Sequence, residues 1–240
     1  MRGPFRGNTM MIIFLVIMVV NSIRMGRFND PAQWLMNTLL LLPAIVIAIT
    51  FHEFMHAYSA YKLGDMTPKA QGRVTLNPIS HIDPVGIIVL IFVGFGWGRP
   101  VQVNPYAFKK NRRAANLVVD VAGVAMNFVI AFVVTAIRII AILHFGLVPN
   151  GVLDTILNNI ILINFILMIF NLLPIPPLDG FGIITEIFDL RRFSWYRPLY
   201  DNGFFILLIL IIFGLLGRIL QPAMAFFYNF SHTVWLNILL

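Results

Sequence analysis

The chain has 240 residues, of which 59% are apolar and 11% are charged, and its formal net charge is +7. Such a high apolar fraction exceeds what the core of a soluble domain buries, and it indicates a protein that sits in a membrane. The chain has no cysteine, which excludes disulfides, thiolate metal ligands and a cysteine nucleophile.

Apolar runs follow one another along most of the chain, and several reach the roughly 20 residues that a helix needs to cross a bilayer. The first run follows Arg2 and Arg6, as the core of a signal peptide would. It lacks a small-residue cleavage site, so we interpret it as the first transmembrane helix. We predict six crossing helices, at 10–25, 34–62, 116–137, 152–174, 204–220 and 222–240.

The apolar run at 85–97 has only 13 residues and is too short to span. We expect it to be re-entrant or buried against protein. After it, Val101–Asn104 alternates apolar and polar residues as a short edge strand does, and Pro105 would stop such a strand. The predicted fold class is an all-α polytopic membrane protein with a re-entrant or short β-containing segment near 85–105.

Basic residues are unevenly distributed over the loops of this topology. If the amino terminus is cytoplasmic, 13 of the 17 lysines and arginines lie on the cytoplasmic side. Only Arg24, Arg27, Arg138 and Arg218 lie on the other side. This positive-inside bias accounts for the net charge without a nucleic-acid partner, and contact with anionic membrane lipids is a secondary consequence.

Residues 52–56 read HEFMH and follow a run, 39–51, in which Thr50 has the only polar side chain. On a helix His52 and His56 lie on one face, where both imidazoles reach a single ion. Glu53 projects beside them toward any water that the ion holds. The alternative is a pair of core histidines that satisfy each other, but an acid at membrane depth favours a functional site.

A catalytic zinc ion needs a third protein ligand and an open position for water. Candidates elsewhere in the chain are His81, Asp83, Asp120, His144, Asp179 and His232. Asp179 is favoured because it follows the apolar run 152–173, within the segment NLLPIPPLDG at 171–180, near the same predicted membrane face as the histidines. Prolines in this segment break the helix and leave backbone carbonyls without their internal hydrogen bonds. At membrane depth only protein groups or water can supply the missing donors. The alternative is a turn-forming Asp-Gly pair at a helix exit.

Together these motifs resemble the site-2 protease family of intramembrane zinc metalloproteases, in its compact branch without appended PDZ or CBS domains. Three segments lie between the HEFMH and NLLPIPPLDG motifs in the order that the family has. They are GRVTLNP at 72–78, HIDPVG at 81–86 and GWGRPV at 96–101. The resemblance covers about residues 40–190. We expect a single domain over 1–240, with a catalytic core at about 34–190 and flanking helices at 10–25, 204–220 and 222–240.

The resemblance implies one zinc ion per chain, held by His52, His56 and Asp179. Glu53 would be the general base, which takes a proton from the attacking water and delivers it to the leaving amine.

The resemblance also implies that Asn127, which ends the segment AGVAMN, donates to the oxyanion or holds the substrate backbone. Val124 stands where the family commonly has proline, and an interhelical hydrogen bond is the alternative role for Asn127. Asn171 would share in substrate binding, with helix packing as its alternative.

The implied reaction is hydrolysis of a peptide bond in or beside a transmembrane segment of a membrane-protein substrate, near the cytoplasmic face. Such a helix must unwind before attack, and the glycine- and proline-rich region 86–105 is expected to hold the unwound strand by edge pairing. Two alternatives remain. A zinc transporter or channel should carry further acids or histidines in series, whereas a catalytically silent membrane scaffold does not need an intact Glu53.

Overall fold

The computed structural model describes residues 28–93, 96–109 and 111–240, together with residues 16, 19, 20, 22–24 and 26. Most of the helix predicted at 10–25 therefore lies outside the described residues. The α-helices of the described part are α1 (Pro31–Leu63), α2 (Thr67–Ala70), α3 (Pro84–Val93), α4 (Arg112–Phe145), α5 (Val152–Asn171), α6 (Asp179–Phe188), α7 (Tyr196–Ile212) and α8 (Leu215–Leu239). Short 3-10 turns lie at Pro78–Ser80, Pro105–Ala107 and Leu190–Arg192.

The two longest helices begin and end at residues suited to those positions. Asp30 caps α1 by accepting a backbone N–H of the first turn at 2.9 Å, and Pro31 occupies the first helical position. Gly64 ends α1 with a φ of +112°, a conformation that favours glycine. α4 is bounded in the same way by the cap Asn111 and by Gly146.

Three described helices, α1, α4 and α5, are long and apolar enough to cross a bilayer, and α7 and α8 add a fourth crossing only if the bent pair forms one span. The all-α prediction is confirmed for the described residues, whereas six crossing helices stay a prediction. The last two helices meet at 81°, with their break at Phe213 and Gly214 rather than near residue 221. Gly214 takes a φ of +66° there, whereas Pro222 is accommodated inside α8.

α1 and α4 bury mostly small side chains where they meet other helices, whereas α5 contributes the large buried residues Ile161 and Phe165. α1, α4 and α5 pack against one another, α6 lies against α4, and α8 covers α4 and α5. The buried residues of these contacts include Ala44, Ala48, Ala57, Ala60 and Ala131. The exposed face of α4 carries Val118, Val129, Val133 and Ile137. This distribution is typical of helices that associate in lipid, where close backbone approach replaces a hydrophobic driving force.

The chain between α1 and α4 folds back on itself beside the end of α1. Asp83 caps α3, whose ten residues extend only about 15 Å and are too short to cross. On the return, the Arg99 N–H donates to the His81 carbonyl at 2.8 Å, next to an isolated antiparallel bridge between Ile82 and Gly98. A re-entrant path for 85–97 stays a prediction, because residues 94 and 95 are outside the described part.

The edge strand predicted at Val101–Asn104 is not formed. The first and last backbone N–H groups of the segment donate to side chains instead of to a neighbouring strand. The Val101 N–H donates to Glu53 Oε2 at 3.0 Å, and the Asn104 N–H donates to Asp65 Oδ2 at 2.7 Å. An alternating pattern indicates which side chains are buried, but it does not identify the acceptor that each backbone N–H meets.

A buried ion pair joins α4 to α5 at the end of the bundle away from the pentapeptide. Arg138 Nε and Nη2 donate to the two carboxylate oxygens of Asp154 at 2.7 and 3.1 Å. Asp154 also accepts the Asn150 N–H at 2.8 Å, and Arg138 Nη1 is 3.4 Å from His232 Nε2 on α8. The pair therefore ties three helices together.

We expect Asp154→Ala to lower the free energy of unfolding by roughly 3 kcal/mol, because it leaves the Arg138 guanidinium unpaired between helices. The measurement is the Tm of the purified protein in detergent. Arg218→Ala removes an exposed cation from α8 and should leave Tm unchanged. Equal Tm values for Asp154→Ala and the unmodified protein would show that the pair contributes no stability.

Candidate metal centre

Two histidines of α1 lie on one face of the helix, one turn apart. His52 and His56 are only 5% and 8% exposed, and their Nε2 atoms are 3.0 Å apart. The arrangement arises because α1 continues as one helix through the pentapeptide to Leu63, so residues four apart are neighbours.

Asp179 joins the two histidines from a distant part of the chain. It is the first residue of α6, directly after the proline-rich segment that follows α5. Its Oδ2 is 3.2 Å from His52 Nε2 and 3.3 Å from His56 Nε2. Within the part of the chain that the structure describes, this is the one group of three such residues that could hold a metal ion.

The other ring nitrogen of each histidine contacts an oxygen of α4. Asn127 Oδ1 is 2.6 Å from His52 Nδ1, and the Val119 carbonyl is 2.7 Å from His56 Nδ1. Because a carbonyl oxygen only accepts, each Nδ1 carries the proton and each Nε2 presents a lone pair. Hydrogen bonds of this kind orient histidines that bind metal ions.

Three electron-pair donors therefore face one another in a buried space. Asp179 Oδ2 is buried, and no described residue donates a hydrogen bond to it. Donor atoms at about 2.0–2.2 Å from a tetrahedral zinc ion are about 3.3 Å apart. The observed separations of 3.0, 3.2 and 3.3 Å are close to this value. Two imidazoles and one carboxylate are also a donor set of catalytic zinc sites, so the residues fit zinc.

The close approach of α4 to the histidines depends on Gly123. A Cβ at this position would lie 2.5 Å from His56 Nε2 and 2.8 Å from His52 Cε1, closer than packed atoms approach. The missing side chain keeps the space in front of the two nitrogens open. The sequence motif contains this glycine, but only the helix contact shows what it is needed for.

Glu53 follows His52 and is held by the loop after α3. Its Oε2 accepts the Val101 N–H at 3.0 Å and lies 3.9 Å from Arg73 Nη2. Arg73 is 4% exposed, and its guanidinium donates to the carbonyls of Arg99 and Pro100. Burial lowers the pKa of Arg73, the Glu53 carboxylate opposes this shift, and the nearby Arg99 adds to it.

Asn127 is fully buried and links three helices. Besides the contact with His52, its Nδ2 donates to the Ala48 carbonyl at 3.1 Å and to Asn164 Oδ1 at 2.9 Å. Both amide hydrogens are thus used inside the bundle, which favours the interhelical alternative over donation to an oxyanion. No sequence-based prediction singled out Asn164, although an amide in the middle of the apolar run 152–173 was the available signal.

Asn171 ends α5, and its Nδ2 donates to the Leu167 carbonyl of the same helix at 3.0 Å. Its role in substrate binding stays a prediction.

The remaining ligand candidates have other surroundings. His81 is buried and lies 2.7 Å from a backbone carbonyl, Asp83 caps α3, and His144 is exposed near the end of α4. His232 lies beside the buried ion pair of α4 and α5. Asp120 faces α6 across Gly182 and is not part of the group of three.

Several helices of this chain are long enough to cross a membrane, and one of them carries a His-Glu-x-x-His sequence. An aspartate from a distant part of the chain lies beside its two histidines. This combination is typical of membrane-embedded zinc metalloproteases. Comparison with known proteins leads to the same class. The model of peptidase family M50 matches residues 136–214, a range that includes Asp179.

Three relatives illustrate the similarity, and all are named as zinc metalloproteases. YwhC of Bacillus subtilis (strain 168) is 38% identical over 187 residues, which cover 76% of the chain and 84% of YwhC. Rip2 of Mycolicibacterium smegmatis is 27% identical over 205 residues, 80% of the chain and 74% of Rip2. MJ0392 of Methanocaldococcus jannaschii is 26% identical over 217 residues, 89% of the chain and 52% of MJ0392. No solved structure matches the chain.

The chain belongs to peptidase family M50, the site-2 protease family. It is a zinc-dependent protease and an integral membrane protein.

Gly123→Ala should weaken zinc binding about tenfold or more, because the added methyl group displaces the imidazoles from their shared position. The measurement is the zinc affinity of the purified protein, by competition with a chelator of known affinity. In the matched control, Gly217→Ala, the new Cβ meets nothing within 4 Å, and zinc binding should be unchanged. Undiminished affinity in Gly123→Ala would contradict the assignment of this space to the ion.

Proposed function

We propose that His52, His56 and Asp179 hold the catalytic zinc ion, and that Glu53 is the general base. The reaction is hydrolysis of a peptide bond in or beside a transmembrane segment of a membrane-protein substrate. The observation that supports this most is the convergence of the two Nε2 atoms and Asp179 Oδ2 at 3.0–3.3 Å, directly beside Glu53. We assign residues 1–240 to one protease domain, with its catalytic core at about 34–190.

The chain's own residues account for the proton transfers. Zinc, when bound, supplies Lewis-acid activation of water and of the scissile carbonyl. Glu53 takes the proton from the attacking water and delivers it to the leaving amine. The contacts with Val101 and Arg73 both involve Oε2, and Gly98, without a side chain, faces Oε1. We therefore assign Oε1 to the proton transfer.

Asn127 acts as a positioning residue in this proposal. Through Oδ1 it keeps the proton of His52 on Nδ1, so that the Nε2 lone pair faces Asp179. Val124, in the position where the family commonly has proline, is buried within an unbroken α4. A valine, unlike a proline, keeps its N–H for the internal hydrogen bonds of the helix, so α4 continues without a break to Asn127.

The unwound substrate lies along residues 99–104 in this proposal. A helix hides its carbonyls in internal hydrogen bonds, so local unwinding must precede attack. Two hydrogen bonds, from the Val101 N–H to Glu53 and from the Asn104 N–H to Asp65, hold this segment beside the general base. Residues 102 and 103 lie between these hydrogen bonds, and their backbone groups can pair with an added strand.

We place the active site near the cytoplasmic face. His52 is eleven residues before Leu63, the last residue of α1, which is roughly 17 Å along the helix axis. Lys62 and Lys69 lie at or just beyond this end of α1, and the positive-inside rule assigns such ends to the cytoplasm.

Zinc transport would need several ligand groups in series, and the described residues contain a single group of three. Proteolysis is therefore favoured over transport.

Glu53→Gln should keep the zinc ion but lower kcat by about 10²–10⁴, because the amide no longer accepts the proton. Turnover of a model transmembrane substrate and zinc content are measured on the same preparation. Asp201→Asn removes an exposed carboxylate of α7 and should retain full turnover. Cleavage by Glu53→Gln at the unmodified rate would refute the proposed role.

The chain has no native cysteine, so single cysteines report sidedness directly. In intact cells, an impermeant maleimide should label Val148→Cys, in the loop between α4 and α5. It should label Lys69→Cys only after permeabilisation. Both positions are exposed in the structure. The reverse labelling pattern would place the active site near the opposite face.

A further inference from the structure

We infer that a polar cavity beside Glu53 is a subsite for a carboxylate side chain of the substrate. The inference rests on the proposed function, since it names the chemical class of one substrate residue at the same site. The cavity has a volume of about 290 Å³ and is lined by Gln71, Arg73, Arg99, Pro100 and Gln102.

The cavity lies next to Glu53, the proposed general base. Arg73 Nη2 is 3.9 Å from Glu53 Oε2. Val101, which lies between two lining residues in sequence, donates its N–H to the same oxygen at 3.0 Å. An extended peptide advances about 3.3 Å per residue. The bound side chain therefore belongs to a substrate residue within about three positions of the scissile bond.

Positive charge exceeds negative charge around the cavity. In the part of the chain that the structure describes, Arg73 and Arg99 line the cavity, and the carboxylate beside them is that of Glu53. Two guanidinium groups against one carboxylate leave an excess of one positive charge. A second carboxylate would neutralise it, and a neutral amide of the same size would not.

The cavity also offers hydrogen-bond donors for a carboxylate. The Arg73 guanidinium lines the cavity, and its Nε has no hydrogen-bond partner among the described residues. The exposed Arg99 adds a second guanidinium, and guanidinium groups bind carboxylates through paired hydrogen bonds. A hydrogen bond of 2.9 Å between the side chains of Gln71 and Gln102 joins two further lining residues. The volume is roughly ten times the 30 Å³ that one water molecule occupies in the liquid, enough for one acidic side chain.

The test uses zinc-loaded protein in nanodiscs of neutral lipid and a set of model transmembrane peptides. The peptides are identical except that one position, within three residues of the scissile bond, carries Glu, Gln or Lys. At one position we expect Glu to raise kcat/KM at least tenfold over Gln, mainly through KM. Arg99→Gln should abolish this preference, and Arg99→Glu should shift it toward Lys. Arg197→Gln, whose parent side chain is 89% exposed on α7, should retain the preference.

A binding measurement separates this inference from the proposed function. Non-hydrolysable versions of the same peptides are titrated against the same protein by fluorescence anisotropy. Tighter binding of Glu than of Gln peptides, lost in Arg99→Gln, supports the subsite even if no peptide is cleaved. No Glu preference at any position, or one that survives both Arg99 variants, overturns the inference. Phosphate groups are also anions, and guanidinium groups bind them as they bind carboxylates. Arg99-dependent binding of inorganic phosphate, or of anionic-lipid headgroups, without any Glu preference would also overturn it.

Discussion

The convergence of three electron-pair donors in a buried space is the constraint on which the rest of the structure depends. His52, His56 and Asp179 bring their donor atoms within 3.0–3.3 Å of one another. Such atoms repel one another at low dielectric unless a cation lies among them. α4 fixes the proton of each histidine on Nδ1, Gly123 leaves the space in front of Nε2 open, and α6 presents the carboxylate.

Glu53, the proposed general base, also holds part of the structure together. Glu53 Oε2 binds the backbone of Val101 and lies near the buried Arg73, which holds the carbonyls of the same loop. The helix that carries the histidines and the loop proposed to receive the substrate therefore share one hydrogen-bond network. A displacement of this loop would change the surroundings of the carboxylate, so the proposed function couples substrate binding to proton transfer through these few contacts.

Two pairs of buried polar side chains join the long helices to one another. Asn127 Nδ2 donates to Asn164 Oδ1 near the candidate metal centre, and Arg138 and Asp154 pair at the other end of the bundle. Unpaired polar groups at membrane depth cost several kcal/mol, which explains why each has a partner on another helix. The first pair supports the site, and the second holds helices together.

The sequence by itself determined the all-helical class, and it predicted that His52 and His56, with Glu53 between them, would meet Asp179 at one site. These conclusions follow from local patterns: apolar length, the i,i+4 spacing and a proline-rich segment. The tertiary structure alone decided that Val101 donates to Glu53 instead of to a strand, that the hydrogens of Asn127 are used inside the bundle, and that Arg73 lines a polar cavity. Each of these depends on which donor meets which acceptor across distant parts of the chain, and residue periodicity contains no information about such pairs.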